Sequence, residues 1–437
     1  MQTKQNKTAL VWFRNDLRVL DQQSLLQACN TSAKVIAVYV FDERLFQPNE
    51  YGFKKTGKYR AKFLIETIKE LKTNLASLNI SLLTPVGIPE IILKDIIEKH
   101  AVSDVFLQKE WTSEETAVTD TLFKSFPEIN WHETYDQFLF HPEDIPYETV
   151  NKVPDVFTQF RKKCEKYSSV RAVYPKPETM PPDNILETTP LVPSIKELGF
   201  APFQADSRTA FPFKGGENQA LKRIDEYFWQ TKKLQYYKKT RNGLIGKDYS
   251  SKLSAWLANG SISARTIYHE VKKFETQIKK NQDTYWLVFE LIWRDYFKYV
   301  SLKYGNEIFY LGGILHKDYL WQNKEQNFTS WSLGTTVEPF VNANMKELLH
   351  TGWMSNRGRQ NVASFWSKEL QEDWRKGAAW FESLLIDYDV HSNWGNWMYN
   401  SGVGNDPRDR KFNIKRQSDI YDSKRAFQKK WLQDRLF

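Results

Sequence analysis

The first 130 residues alternate short apolar runs with longer amphipathic patterns, and this alternation constrains the fold more than any other feature of the chain. The runs ALVWF, VIAVYVF, SLLTPV and DVFLQ are rich in β-branched residues and are typical of strands buried on both faces. Between the second and third runs, TGKYRAKFLIETIKELKTNLASL has the clearest helical spacing. Strands that alternate with helices predict a doubly wound parallel sheet, so we assign residues 1–130 to an α/β domain.

Local signals refine this domain. Pro89 suits the first turn of the next helix, and Ser113, followed by two glutamates, suits an N-cap. The first strand is followed by VWFRNDLR and not by G-x-G-x-x-G. The sheet is therefore not expected to bind a dinucleotide in the usual way.

The pattern changes near residue 131. Prolines cluster in YPKPETMPPDN and TTPLVPS, which predicts an interdomain linker over residues 131–210. After FPFKGG, helical spacing dominates, as in TYWLVFELIWRDYFKYVSLKYG and PFVNANMKELLH. Gly352 suits the C-cap of the last of these. We predict an all-α domain over residues 211–437.

Composition excludes several classes of protein. No stretch approaches the roughly 18–20 apolar residues that span a bilayer, and the N-terminus lacks a signal-peptide pattern, so a cytoplasmic monomer without membrane contact is expected. The two cysteines, Cys29 and Cys164, cannot form a zinc or iron–sulfur site alone. We expect free buried thiols and predict no metal.

Basic charge and tryptophan are unevenly placed. The net charge is +9, and residues 214–247 hold nine Lys/Arg against three Asp/Glu, while residues 408–437 hold ten against four. Basic segments with aromatic residues suit a nucleic acid, although two solvated helix faces would look the same. Most of the 16 Trp lie after residue 283, which is typical either of a large core or of a site for a planar cofactor.

Four segments of the predicted helical domain carry ligand-like chemistry. Serines in DYSSKLS offer a phosphate cradle, or simply cap a helix. Glu290 and Arg294 are one helical turn apart and are expected to form at most a surface ion pair. Arg359 lies beside an apolar run and requires a carboxylate if buried, which Asp387 or Asp389 can supply.

Five motifs in order, LVWFRNDLR, TRNGLIGKDYSSKLS, ELIWRDYF, GWMSNRGRQNVASF and DYDVHSNWGNW, resemble the photolyase/cryptochrome flavoproteins, most closely the DASH-type cryptochromes. The resemblance covers essentially the whole chain and implies FAD in the helical domain. By matching motifs, the implied FAD-binding residues are Tyr237, Ser250, Ser251, Leu253, Ser254, Arg294, Arg359, Asp387, Asp389 and Asn393, the last facing flavin N5.

The resemblance also implies a photochemical enzyme. Trp397, Trp374 and Trp321 match the family's chain of electron-donating tryptophans. Glu290, Trp293 and Asn356 match a pocket for cyclobutane pyrimidine dimers, which excited reduced flavin splits. Gln360 and Tyr399 replace a methionine and a tryptophan of the duplex-specific enzymes, so this more polar pocket predicts repair of single-stranded or locally unpaired DNA. Enzymes for (6-4) photoproducts use histidines in the segment matching MSNRGRQ, which has none.

The resemblance further implies an antenna, 5,10-methenyltetrahydrofolate, held by Glu110, although Glu110 suits a surface position equally well. Val337, Glu338 and Asn342 depart from the family's usual segment and affect the expected helix packing there. Two other functions remain open: a blue-light signalling photoreceptor, and a flavoprotein that binds single-stranded DNA or RNA without repair turnover.

Overall fold

The computed structural model describes residues 5–433. Its N-terminal part is built on a five-stranded, fully parallel sheet with the order β4-β2-β1-β6-β7, and a separate parallel pair joins β3 to β5. The strands are β1 Gln5–Trp12, β2 Ser32–Val38, β3 Phe41–Asp42, β4 Leu82–Leu83, β5 Val86–Gly87, β6 Val102–Gln108 and β7 Asn130–Thr134.

Helices cover both faces of this sheet. Alternate residues of β1 pack to opposite sides, Ala9 and Val11 toward α1 (Gln23–Thr31) and α2 (Lys58–Ala76), and Leu10 and Trp12 toward α3 (Pro89–Lys99) and α4 (Ser113–Ser125). Each of the four predicted apolar runs overlaps at least one observed strand. The predicted doubly wound α/β class is confirmed.

Strand β7 is not anticipated by the sequence, because NWHET has no apolar run. It lies at the edge of the sheet beside β6, and among its five residues only Thr134 is buried. The sheet thus continues to residue 134, while the domain boundaries at residues 130 and 210 stay predictions.

The proline-rich segment after β7 contains one α-helix, α5 (Phe157–Tyr167), which the sequence interpretation missed. Its buried residues pack on aromatic side chains of a long helix of the C-terminal domain, with the Phe160 ring 5.5 Å from Tyr296 and 5.4 Å from Tyr299. Asp295 of the same long helix accepts hydrogen bonds from the backbone N–H groups of Leu139 and Phe140. The segment is therefore fixed to the helical domain.

The C-terminal part is helical, as predicted. Its helices are α6 Glu217–Ile224, α7 Tyr237–Thr240, α8 Ser254–Ala258, α9 Ala264–Gln277, α10 Gln282–Tyr304, α11 Glu325–Leu333, α12 Pro339–Thr351, α13 Asn356–Ser364, α14 Trp374–Leu384, α15 Val390–Ser401, α16 Ile414–Tyr421 and α17 Ala426–Leu432. Five tryptophans are among its largest fully buried side chains: Trp256, Trp331, Trp366, Trp374 and Trp397. These five of the chain's 16 tryptophans therefore pack the core of the helical part.

Most predicted helix ends agree with the structure. Pro89 is the first residue of α3, and Gly352 ends α12 in the left-handed conformation at φ +69°. The predicted N-cap is wrong by one residue, because Thr112 precedes α4 and Ser113 is its first residue. Asn342, one of the three unusual residues, is a buried residue of α12. Its amide oxygen accepts from the Thr336 N–H, and its amide nitrogen donates to the Thr336 carbonyl.

A buried ionic cluster joins the two domains. Arg265 of α9 is paired with Asp21, at 2.8 Å, and with Asp136, at 2.9 Å, and all three side chains are at most 2% exposed. Close by, Gly260 has φ +71°, and a Cβ atom there would lie 1.9 Å from the carbonyl oxygen of Asn15. The domains thus meet through charge pairing and close backbone contact.

Cys29 and Cys164 are both buried and form no disulfide, as predicted. No helix within residues 5–433 is long and apolar enough to cross a membrane. In the same described range, no cluster of three or more His, Cys, Asp or Glu side chains is placed to hold a metal ion.

Candidate functional site

Two neighbouring cavities contain most of the predicted site residues. The helical cavity, of about 630 Å³, is enclosed by the C-terminal helices and the loops between them. The boundary cavity, of about 640 Å³, is lined by residues of both domains. Leu257, Ala258, Arg294 and Asp389 line both cavities and form a shared wall. Arg294 is held there by the carbonyl of Gln137, at 2.6 Å, and that of Leu257, at 3.3 Å.

The loop before α8 forms one end of the helical cavity. All five residues predicted to hold phosphate and ribityl groups line it: Tyr237, Ser250, Ser251, Leu253 and Ser254. The simpler interpretation, a serine-capped helix, is wrong, because Leu253 is the N-cap of α8 and gives no side-chain hydrogen bond. Ser254 Oγ instead donates to Asp387 Oδ2 at 2.7 Å.

Lys252 adds a buried cation at the same end. Its backbone has φ +64°, and its Nζ lies 3.1 Å from the centroid of the Tyr249 ring, with no hydrogen-bond acceptor in the described part of the chain. Burial lowers the pKa of Lys252 well below its ordinary value. Lys252 lines the cavity, so an anion there would give the ammonium group the partner that it lacks.

The two carboxylates at the start of α15 have different partners. Arg359 Nη2 binds both oxygens of Asp387, at 2.8 and 2.9 Å. Asp389 pairs instead with Lys298 of α10, at 3.0 Å, and also caps α15 by accepting from the Ser392 N–H. Burial alone would raise the pKa of Asp389, but Lys298 and other neighbouring positive charge outweigh it and hold the pKa well below its ordinary value.

The five residues predicted for the substrate pocket line one region of the helical cavity: Glu290, Trp293, Asn356, Gln360 and Tyr399. The Trp293 ring stacks on Phe157 at 3.6 Å and meets the Tyr399 ring edge-on at 5.9 Å. Gln360 Oε1 is buried without a hydrogen-bond donor among residues 5–433. An aromatic ring and a glutamine with an unpaired amide oxygen thus line the same region of the cavity.

Glu290 does not pair with Arg294, which corrects the expected ion pair. Its carboxylate contacts the guanidinium of Arg241, and burial raises the pKa of Glu290. Both Glu290 and Arg241 line the helical cavity. The acid therefore faces the predicted pocket.

The three tryptophans predicted to carry electrons are connected through α14 and the segment that precedes it. The Trp397 ring packs on Gly377, where a Cβ atom would lie 2.4 Å from it, and Gly377 is three residues after Trp374 on α14. Gln322, next to Trp321, exchanges backbone hydrogen bonds with Gln371 and Asp373, at 2.7 and 3.2 Å. Trp321 is thereby attached to the segment that leads into Trp374.

Asn393 is the exception among the predicted cofactor residues. Its side chain is 8% exposed, its Nδ2 donates to the Ala378 carbonyl at 3.1 Å, and it is absent from the helical-cavity lining, whereas Ser392 and Asn396 are part of it. Placement of Asn393 toward a flavin is not supported by this arrangement.

The boundary cavity contains Glu110. Glu110 is buried and accepts from Gln108 Nε2 at 2.7 Å, so the alternative of a surface acid is wrong. Burial raises its pKa to about 7, against the opposing effects of Arg14 and Lys298. The His391 ring in the same wall stacks on Trp111 at a centroid distance of 4.5 Å.

Several lining residues were missed by the sequence interpretation. Lys298 was detectable, because it lies on α10 one turn after Arg294 and two turns after Glu290, on the same face. No helical spacing of this kind distinguishes Lys252 and Arg241 from the other basic residues near them in the sequence. Phe157 lies in the segment interpreted as linker.

The helical cavity fits the FAD that the resemblance implies. FAD carries two phosphates, and the cavity offers Lys252, serine hydroxyls and the Arg359 guanidinium. FAD also has a planar ring with polar edges, and the Arg359–Asp387 pair provides polar groups without a metal. The unpartnered buried atoms of Lys252 and Gln360 are the observations that favour a bound polar ligand.

Comparison with known proteins agrees with this fit. Residues 9–182 match the family described as DNA photolyase, and residues 286–435 match the FAD binding domain of DNA photolyase. The chain is 45% identical over 433 residues to Cryptochrome DASH of Gloeobacter violaceus, covering 98% of this chain and 85% of that protein. This chain belongs to the photolyase/cryptochrome family. Within this family it is also 44% identical to Cryptochrome DASH of Xenopus laevis, over 98% of this chain and 83% of that one.

Solved structures of this photolyase/cryptochrome family give the same result. A cryptochrome of Synechocystis sp. PCC6803 has a TM-score of 0.93 at 44% identity, covering 99% of this chain and 89% of that chain. An archaeal photolyase from Sulfolobus tokodaii, solved with two FAD molecules, has a TM-score of 0.77 at 25% identity, over 98% and 90% of the two chains. The names of some plant relatives include "chloroplastic/mitochondrial", so a cytoplasmic location remains a prediction.

Proposed function

We propose that this member of the photolyase/cryptochrome family is a blue-light-dependent flavoenzyme of the DASH type that splits cyclobutane pyrimidine dimers in single-stranded DNA. The proposal depends on one observation, which is that two sets of residues line the same helical cavity. Serines, Lys252 and the Arg359–Asp387 pair form one set, and Glu290, Trp293 and Tyr399 form the other. A ligand seated by the first set would lie within the same enclosed space as a base seated by the second.

When bound, FAD would supply the light-excited electron donor. The chain supplies binding and orientation. Trp293, backed by Phe157, offers a rigid ring face against which an extruded dimer can stack. Glu290 lines the cavity and can accept hydrogen bonds from pyrimidine N–H groups. Arg410 and Lys411 line the cavity and suit contact with DNA phosphates.

The preference for single strands is argued from polarity. A dimer must leave a duplex before it can enter the cavity, and this unstacking costs a few kcal/mol. Gln360 presents an unpaired oxygen, and the Tyr399 hydroxyl accepts from Arg410 at 2.7 Å. Polar side chains at these two positions stabilise a bound apolar dimer less than a methionine and a second indole would, so they offset less of the unstacking cost. An unpaired strand has little stacking to lose, so it remains a substrate.

We expect repair of an irradiated oligonucleotide to be at least about tenfold faster as a single strand than within a duplex. Gln360→Met should raise the duplex rate by roughly fivefold, because about 1 kcal/mol of apolar contact is gained, and leave the single-strand rate little changed. Dimer loss under blue light, measured by chromatography, is the readout. The matched control is Gln417→Met, since Gln417 contacts Arg357 at 3.4 Å but does not line the cavity.

Equal rates on both substrates would contradict the strand preference. Retention of irradiated DNA without dimer loss would favour a binding protein, and the same assay with RNA tests the related partner, which shares the phosphate backbone. Photoreduction with neither retention nor repair would favour a signalling photoreceptor. The chain is expected to act as a monomer in each case.

We also propose that the boundary cavity holds 5,10-methenyltetrahydrofolate through Glu110. An ionised carboxylate accepts charge-assisted hydrogen bonds from pterin N–H groups at both oxygens, whereas protonation turns one oxygen into a donor and weakens this contact. Because the pKa of Glu110 is raised to about 7, the ionised fraction falls as the pH drops below that value. Folate affinity should therefore be about tenfold higher near pH 8 than near pH 6. Equilibrium binding followed by folate absorbance checks this.

The control is Glu110→Gln, which should bind folate more weakly at all pH values and with no pH dependence between them. If Glu110→Gln kept the wild-type pH dependence of folate binding, the group that titrates would be one other than Glu110. Arg14, Lys298, Glu115 and Gln108 are the neighbours that act on Glu110.

A further inference from the structure

Tyr319 lies beside the outermost tryptophan of the predicted chain. The Tyr319 and Trp321 ring centroids are 5.7 Å apart, with the planes at 77°. Both rings are half-buried. The Trp321 indole N–H has no acceptor in the described structure, so no hydrogen bond is available there to take its proton. An oxidisable phenol thus lies in ring contact with Trp321.

A half-exposed carboxylate lies within reach of this phenol. The Tyr319 hydroxyl donates to Asp409 Oδ2 at 3.4 Å, and Asp409 pairs with Lys368. Gly402 makes room for this carboxylate, because a Cβ atom there would lie 1.9 Å from Asp409 Oδ1. Burial, with a contribution from Asp409, raises the pKa of Tyr319, so the resting phenol is protonated.

Phenols lose their proton when oxidised, so a tyrosine donates an electron readily only where a base can take that proton. Asp409 is such a base, within hydrogen-bonding distance of Tyr319 Oη. We propose that Tyr319 is a further electron-donating residue, next after Trp321, with Asp409 as its proton acceptor. This inference rests on the proposed function, in which light-driven flavin reduction draws electrons through the tryptophans.

The proposed step transfers one electron and one proton. The oxidant is the Trp321 radical cation, formed when Trp321 has given an electron inward. One electron passes from Tyr319 to Trp321, which becomes neutral. The Tyr319 O–H bond breaks, and its proton moves to the Asp409 carboxylate. The products are a neutral tyrosyl radical, a protonated Asp409 and a neutral Trp321, and an external thiol then restores Tyr319 by giving a hydrogen atom.

The test is transient absorption of the FAD-loaded full chain after a blue flash, without added thiol. The wild type should end in a tyrosyl spectrum. Tyr319→Phe should end in a tryptophan radical, and its charge-separated state should decay faster, by a factor on the order of tenfold. Asp409→Asn should slow tyrosyl formation and abolish the slowing that D₂O causes in the wild type. FAD content, read from visible absorbance, reports whether each variant is folded.

Tyr304→Phe is the matched control, because it removes a comparable hydrogen bond, from Tyr304 to Asp155 at 2.6 Å, at another site. Its radical spectrum and decay should match the wild type. If Tyr319→Phe also matches the wild type, Tyr319 is not a donor, while the proposed function stands. If the FAD-loaded wild type undergoes no light-driven reduction, the electron path of the proposed function and this inference both fail.

Discussion

Replacing Trp397 by phenylalanine is expected to slow light-driven reduction of bound FAD by a factor on the order of a hundred or more, equivalent to at least ~2.7 kcal/mol of activation free energy. Indole is one of the most easily oxidised side chains, and a phenyl ring cannot take its place as a donor. Trp397 is 2% exposed and packs on Gly377 of α14, which begins with Trp374. The measurement is the rate of flavin bleaching under blue light with a thiol reductant.

Trp331→Phe is the control for this prediction. Trp331 is also buried, at 0% exposure, and its ring centroid lies 6.2 Å from that of Trp397, but it is outside the predicted chain. Both changes remove the same atoms from the same core, at a cost of roughly 1–2 kcal/mol in stability. Only Trp397→Phe should slow bleaching. Equal slowing in both variants would mean that packing, and not electron donation, explains the effect.

Buried strands were predictable because parallel strands covered on both faces leave continuous apolar runs. The two elements that were missed have polar sequences. Strand β7 is an edge strand with one buried residue, and α5 buries Phe157, Phe160 and Cys164 among eleven residues. Contacts with the sheet stabilise β7 and contacts with α10 stabilise α5, although the hydrophobic pattern of each segment is weak.

Within the site, residue types were predictable but partners were not. Arg359 requires a carboxylate, and Asp387 was one of two candidates that the sequence offers. Asp389 instead pairs with Lys298, 91 positions away, and Glu290 meets Arg241, 49 positions away. Helical spacing places Glu290 and Arg294 on one face but does not decide between side-chain partners. The backbone carbonyls that hold Arg294 come from distant segments of the fold.

Arg265→Met is expected to lower the free energy of unfolding by about 3–5 kcal/mol. Methionine keeps much of the side-chain volume but removes the cation from between Asp21 and Asp136, which are 0% and 1% exposed. The N–H of Tyr174 still donates to Asp21 and that of Gln23 to Asp136, but these bonds do not balance two buried negative charges. Urea unfolding followed by circular dichroism, at equal FAD loading, measures the change.

Arg44→Met provides the comparison, because Arg44 also bridges two carboxylates, Asp42 and Glu90, but its side chain is 47% exposed. Water solvates those acids when the arginine is removed, so a loss of no more than about 1 kcal/mol is expected. Since Arg265 belongs to the helical domain, Asp21 to the N-terminal domain and Asp136 to the segment just after β7, the loss of Arg265 should also weaken the contact between the domains. Similar losses in the two variants would show that burial of the cluster does not control its contribution, and that the domains are held together by their other contacts.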